Sequence, residues 1–394
     1  MIPELIALFK LLALAFRLVI SGALFSGTGP LVIEEPGIYR GVFVSLDPDE
    51  PAVVIKTKGP VVLENCLVVG RGMLISTRYG APRAKPDGVN PLNYRGVDLT
   101  VRDCIGFGLR PDAKDRAAGR FIVAIEPSEV HVENNFFAST RGIWVDGGRN
   151  AGGTKNIQIV NNVSINADGR CIERCSRNNL GRWVSRNGTA VANLVQVSNT
   201  RGAIVNIYKN LSINYPGFSA VEDNINLYNV AGRPDFPIAV HKNTIIGAFP
   251  PDSDAVTYSG SGIMIDGGDD PNKTSSYVHV FDNEVHATSN AGIGIAAGNN
   301  NAVYNNVVTR TTSRTWHDFQ RESVGIYIRH CCGDRALKAE ASGIRPFYNN
   351  AAWNNRADVR YLRRPKKVVT NNFWLPDCHT LSDGRSACRA NSSL

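Results

Sequence analysis

The chain has 394 residues, and Lys plus Arg outnumber Asp plus Glu by 43 to 35, a formal net charge of +8. That balance favours an anionic partner such as an acidic polysaccharide, a nucleic acid or a membrane surface. There is no P-loop, no dinucleotide fingerprint and no His-Glu-x-x-His helix, which excludes by motif the enzyme classes that depend on them.

Residues 1–29 open the chain with an apolar run interrupted by Glu4, Lys10 and Arg17. A membrane span needs about 20 unbroken apolar residues, so no stable span is predicted. Lys10 and Arg17 fall on one face at about 100° per residue. This predicts an amphipathic helix plugging the end of the fold, with a signal or anchor as the alternative.

From residue 30 to 375 a short pattern recurs: β-forming residues, a polar residue, an Asn-Asn doublet or a near match, then apolar residues. Leu-Glu-Asn-Cys66 and Val-Arg-Asp-Cys104 begin the series. The second Asn of later copies stands at Asn135, Asn162, Asn187, Asn210, Asn243, Asn283, Asn306, Asn350 and Asn372. The shortest intervals run from 22 to 27 residues. A β-branched repeat of that length, with no helical period, predicts a parallel β-helix of roughly 11–12 coils. Asn suits the corner because it tolerates the left-handed backbone, and stacked Asn side chains can hydrogen-bond from coil to coil. Cys66 and Cys104 then fall on adjacent coils, as a disulfide or as stacked free thiols.

A second strand recurs as Gly72-Met-Leu-Ile-Ser76, Ile122-Val-Ala-Ile-Glu126 and Gly142-Ile-Trp-Val-Asp146. Later copies are Gly262-Ile-Met-Ile-Asp266, Gly292-Ile-Gly-Ile-Ala296 and Gly325-Ile-Tyr-Ile-Arg329. The coil around Gly202 does not register. Alternation points Ile143, Val145, Ile263, Ile265, Ile326 and Ile328 inward, and Trp144, Met264 and Tyr327 outward. Glu126, Asp146 and Glu173 then share one slot on three consecutive coils, about 4.8 Å apart. Like charges at that spacing raise at least one pKa, so the three are the predicted acid, base or nucleophile of a catalytic set. Asp146-Gly-Gly is also an ordinary turn signal.

Insertions at residues 77–95, 106–121, 147–155, 267–276 and 330–345 predict walls along this face. Trp144 and Tyr327 would offer platforms to sugar rings, and Arg141, Arg329 and His330 would meet acidic groups. Asp266, Asp269 and Asp270 form an oxygen-rich cluster suited to Ca²⁺, and no other cofactor is predicted. The basic segment from Arg356 to Lys367 lacks a nucleic-acid motif and reads as a solvated rim. Residues 376–394 read as a tail in which Cys378 and Cys388 bracket a loop and form the favoured disulfide.

The Asn column and the Gly-Ile-x-Ile strand, spanning residues 30–375, resemble the pectate-lyase-like superfamily of right-handed parallel β-helices. The resemblance implies a monomeric protein, secreted or at the cell surface. It implies an acidic polysaccharide cleaved by hydrolysis or β-elimination, or a non-catalytic module that binds glycans. The chain lacks the Asn-Thr-Asp, Gly-His-Gly and Arg-Ile-Lys signatures of polygalacturonases, the Asp-Pro-His of alginate epimerases and the Trp-Ile-Asp-His of pectate lyases. No residue role is therefore carried over by motif.

Overall fold

The computed structural model describes residues 29–79, 92–93, 95–110, 117–148, 153–170, 190–251, 259–268, 274–309, 316 and 324–328, and the short segments 351–353, 356–358, 378–380 and 386–388. Residues 1–28 of the predicted N-terminal helix lie outside them, as do Glu173, Asp269, Asp270, Arg329 and His330.

The described chain is all-β, and two long parallel sheets dominate it. The first has ten strands: Leu31–Ile33, Val53–Ile55, Ile75–Ser76, Ile122–Ile125, Ile143–Asp146, Val195–Ser198, Asp223–Tyr228, Ser261–Asp266, Ala291–Ile295 and Val324–Ile328. After most of these strands the chain passes through two arms of the eighteen-stranded second sheet before returning to the first. Ile143–Asp146, for example, leads to Asn156–Val160 and Val163–Ile165. These stack in parallel on Val195–Ser198, Ile204–Tyr208 and Leu211–Ile213 of the next coil. Such coil-on-coil pairing is compatible with a parallel β-helix.

The in-register pairing explains the core. Ile143, Val195, Ile225, Ile263 and Ile293 stack as one inward column, and Val145, Val197, Leu227, Ile265 and Ile295 as the next. All ten are fully buried, each stabilising the fold by about 1.5–3 kcal/mol.

The doublet at the elbow between the two arms divides its labour. The first residue takes the left-handed backbone: Asn134, Asn161, Lys209, Lys242, Asp282 and Asn305 have φ of 54–57°. The second turns inward and builds a ladder. Asn135 Nδ2 donates to Asn162 Oδ1, Asn162 to Asn210, Asn210 to Asn243, Asn243 to Asn283 and Asn283 to Asn306, each at 2.9 Å. Each of these five Nδ2 groups also donates to a main-chain carbonyl, at 2.9 Å. The thiols extend the column. Cys104 Sγ accepts from Cys66 N at 3.4 Å and donates to Leu63 O at 3.5 Å, the counterparts of the Asn bonds. Both cysteines are buried and free. Hydrogen bonding to Cys66 and burial push the Cys104 thiol up.

Asn162 reaches Asn210 directly, and Val163–Ile165 pairs directly with Leu211–Ile213. The expected column members Asn187, Asn350 and Asn372 lie outside the described residues. In the tail, the backbones of Cys378 and Cys388 face each other across an antiparallel pair.

Replacing Asn210 with Leu orphans the groups that Asn162 and Asn243 present to it, so urea denaturation should show a loss of about 3–5 kcal/mol. Lys209→Gly, where the left-handed backbone suits glycine, should change stability by less than about 1 kcal/mol.

Candidate functional site

Side chains opposite the core strips of the ten-stranded sheet face outward. Its register sets Val123, Trp144, Gln196, Asn226, Met264, Gly294 and Tyr327 in one row. The positions of Trp144, Met264 and Tyr327 thus share a row, with Gln196 and Asn226 filling the coils that the sequence pattern leaves unregistered, but Met264, expected outward, is buried against Ala291 and Ala296. Trp144 is held by a bond from Nε1 to Ser198 Oγ at 2.9 Å.

Two arginines lie at the N-terminal end of these strands. Arg120 is only 4% exposed. Its guanidinium lies 5.5 Å from the Trp144 ring centroid. It donates to Arg141 O at 3.1 Å, Val191 O at 3.3 Å, Asn193 Oδ1 at 3.4 Å and Gln196 Oε1 at 2.9 Å. All of these acceptors are neutral. Arg141 is partly buried and donates from Nε to Ala118 O at 2.7 Å. Among the described residues, its two Nη groups have no protein acceptor. Burial pushes Arg120 well below the usual arginine range, the Arg141 charge adds to this and Glu222 opposes it. Burial also lowers Arg141 to about 10. A buried cation without a bonded counter-ion is costly, so Arg120 and Arg141 favour an anion nearby, a charge that Glu222 supplies in part for Arg120.

A buried carboxyl sits further along the stack, on Asp223, three residues before the row position Asn226. Asp223 is buried, and its Oδ2 accepts from Asn226 Nδ2 at 2.8 Å. Asn193 joins the two halves: its Oδ1 faces Arg120 and its Nδ2 donates to Asp223 O at 2.7 Å. Burial, then the Glu222 charge, push the Asp223 carboxyl up to about 7. Asn226 is 6% exposed, and its Oδ1 is buried without a hydrogen-bond donor. Leaving such an acceptor unpaired costs about 1–3 kcal/mol.

The predicted acids stand at the other end of the strands. Ile122 pairs with Ile143, not with Gly142, so Ile125 and not Glu126 faces Asp146. The shift arises because Ile122 and Ala124 take the inward places, behind a Phe121 ring stacked on Phe137 at 4.6 Å. Glu126 lies one residue beyond the strand, at φ 47°, with Oε2 3.1 Å from Arg95 Nε. Its side chain covers Gly148, where a Cβ would approach Glu126 Cγ to 2.4 Å. Asp146 Oδ1 accepts from Gly148 N at 2.9 Å and from Asn199 Nδ2 at 3.2 Å. Both carboxylates thus serve the turn that ends their strand.

No protein-family model, curated protein or solved structure matches the chain.

Asp266 Oδ1 accepts from Gly267 N at 2.8 Å. No group of three or more His, Cys, Asp or Glu side chains able to hold a metal occurs among the described residues. Nor does any described helix have the length and apolarity to cross a membrane. Gln196 and Asn226 were not singled out for this site by sequence pattern, and Arg120 entered only within the 106–121 wall. Val195-Gln-Val and Ile225-Asn-Leu carry the same apolar-x-apolar signal as Ile143-Trp-Val, without the leading Gly-Ile that marks the other copies.

The Asp223 carboxyl gives this site a pH signature. The folded group holds its proton to about pH 7, whereas the unfolded chain releases it near 3.8, the ordinary aspartate value. The folded state therefore binds more protons across that window, and stability falls as pH rises through it, by a few kcal/mol in order of magnitude. Thermal melting between pH 4 and 8 should show this slope reduced in Asp223→Asn.

Proposed function

We infer that the coils wind as a right-handed parallel β-helix of the pectate-lyase-like kind, and that the protein is a secreted or surface enzyme acting on an acidic polysaccharide. The hand follows from the strong preference of parallel crossovers for right-handed connection. The substrate class rests on one observation above all: the Arg120 guanidinium, buried among neutral acceptors, lies 5.5 Å from the Trp144 ring centroid, with Arg141 on the next coil. An arginine pair suits carboxylates, which it grips by bidentate bonds. Trp144 offers an apolar surface beside them, and the row Trp144–Gln196–Asn226 runs along the stack at about 4.8 Å per coil, a path for an extended chain. The net charge of +8 acts in the same sense over a longer range.

The test is binding of polygalacturonate and of alginate by affinity electrophoresis. Wild-type protein should be retarded by at least one polyuronate and not by a neutral glucan. Arg141→Gln, at a partly exposed position, should weaken retardation by about 10–100-fold, the worth of charge-assisted bonds of about 1.5–3 kcal/mol. Retardation equal with neutral and acidic polymers, or untouched by Arg141→Gln, would overturn the reading.

A further inference from the structure

Resting on that reading of the substrate, we propose that Phe218, with Tyr215 beside it, is an aromatic subsite that receives the sugar chain where it runs on beyond the arginines. The two rings flank a turn, Tyr215-Pro-Gly-Phe218, between the strands Leu211–Ile213 and Asp223–Tyr228. Gly217 has φ of 77°, and Phe218 N donates back to Tyr215 O at 3.1 Å. That is a type II turn, with Pro and Gly at the positions that favour them. Phe218 is 67% exposed, more than any other large apolar side chain among the described residues, and Tyr215 is 43% exposed. The Tyr215 ring leans edge-on against Trp316 at 5.9 Å. Apolar residues scattered singly over a surface are ordinary, but here two rings are shown together on one turn.

The turn is braced from the coil below. Arg170 donates to Gly217 O, and to Phe218 O at 3.0 Å. Asp168 clamps that guanidinium with two bonds of 2.8 Å, from Nε and from Nη2. Asn166 Oδ1 accepts from Tyr215 N at 2.9 Å, and Ser219 Oγ donates to Tyr215 O at 2.8 Å. A turn fixed in this way loses little freedom when a ligand settles on it. Arg170 is thereby committed to the brace, unlike Arg141. The place is continuous with the arginine end of the sheet. Arg141 follows Thr140, whose carbonyl accepts from Asp168 N at 2.9 Å, and Asp168 pairs in parallel with Ala220. Phe218 therefore stands two coils beyond Arg141 at the same strand ends, about 10 Å along the stack. One oligosaccharide can reach both. The carboxylates of a polyuronate answer the arginines, and the C–H face of a sugar ring answers a phenyl ring, which is flat, apolar and held still.

The experiment is calorimetric titration of wild type, Phe218→Ala, Phe218→Leu, Phe218→Trp and Arg141→Gln with galacturonate and guluronate oligomers, from dimer to octamer. Thermal melting first shows that the variants are folded, as expected for changes at so exposed a side chain. Wild-type affinity should rise with oligomer length as the sugars reach the turn. Phe218→Ala should remove that rise, weakening the long oligomers about 10-fold, the worth of covering part of a phenyl ring, and leave the dimer unchanged. Phe218→Trp should keep the rise and Phe218→Leu, apolar but not flat, should lose it. Arg141→Gln should weaken every length. Long oligomers bound equally by Phe218→Ala and wild type overturn the subsite and leave the substrate reading standing, as does an equal loss at every length in Phe218→Ala. Full binding by Phe218→Leu overturns ring stacking. Sedimentation without sugar supplies a further check: self-association of wild type that Phe218→Ala abolishes would show that a second copy covers the rings, and would overturn the proposal. Failure of wild type to bind any oligomer overturns the substrate reading and the subsite with it.

Discussion

In-register stacking of identical positions from coil to coil is the constraint from which the other features follow. Each coil is too small to bury its own apolar side chains, and becomes stable only with a neighbour above and below. Stacking like on like satisfies this for aliphatic residues at once. It is harder at the elbow, where the backbone reverses and main-chain groups point inward. The asparagine ladder solves that problem, since one amide offers both an acceptor and two donors to the coils beside it. The buried thiols of Cys66 and Cys104 continue the column with a weaker version of the same bonds.

The same register that packs the core writes a row of outward side chains, and the site is a departure from its economy. Elsewhere on the outer faces stacked residues match: Tyr208, His241, Phe281 and Tyr304 lie ring on ring at about 5 Å, with planes within 2°. In the row from Trp144 to Asn226 they do not match. A buried arginine meets neutral acceptors, a buried carboxyl is lifted in pKa and an amide oxygen goes unpaired. Polar groups arranged at such cost on one patch mark a place where a ligand completes the bonding.

Much of the fold was legible because the elbow doublet is a local signal that recurs. Asn135, Asn162, Asn210, Asn243, Asn283 and Asn306 were readable from β-formers followed by Asn. Asn187, Asn350 and Asn372 lie outside the described residues. The site was less legible. Glu126 and Asp146 stood out as acids beside a recurring strand, but a register shift of one residue separates them, Arg95 pairs with Glu126 and turn bonds occupy Asp146. Asp223 and Arg120 carried no motif. What sets them apart is burial, which depends on how coils and insertions close over the sheet and cannot be read from their neighbours in the chain.

The most direct measurement is a crystal structure of the protein soaked with a uronate trisaccharide. One sugar carboxylate should lie within hydrogen-bonding distance of the Arg141 guanidinium, with the chain running along Trp144, Gln196 and Asn226. A trisaccharide seated instead at the opposite strand ends, against Glu126 and Asp146, would show that the arginine recess is not where this protein takes its substrate.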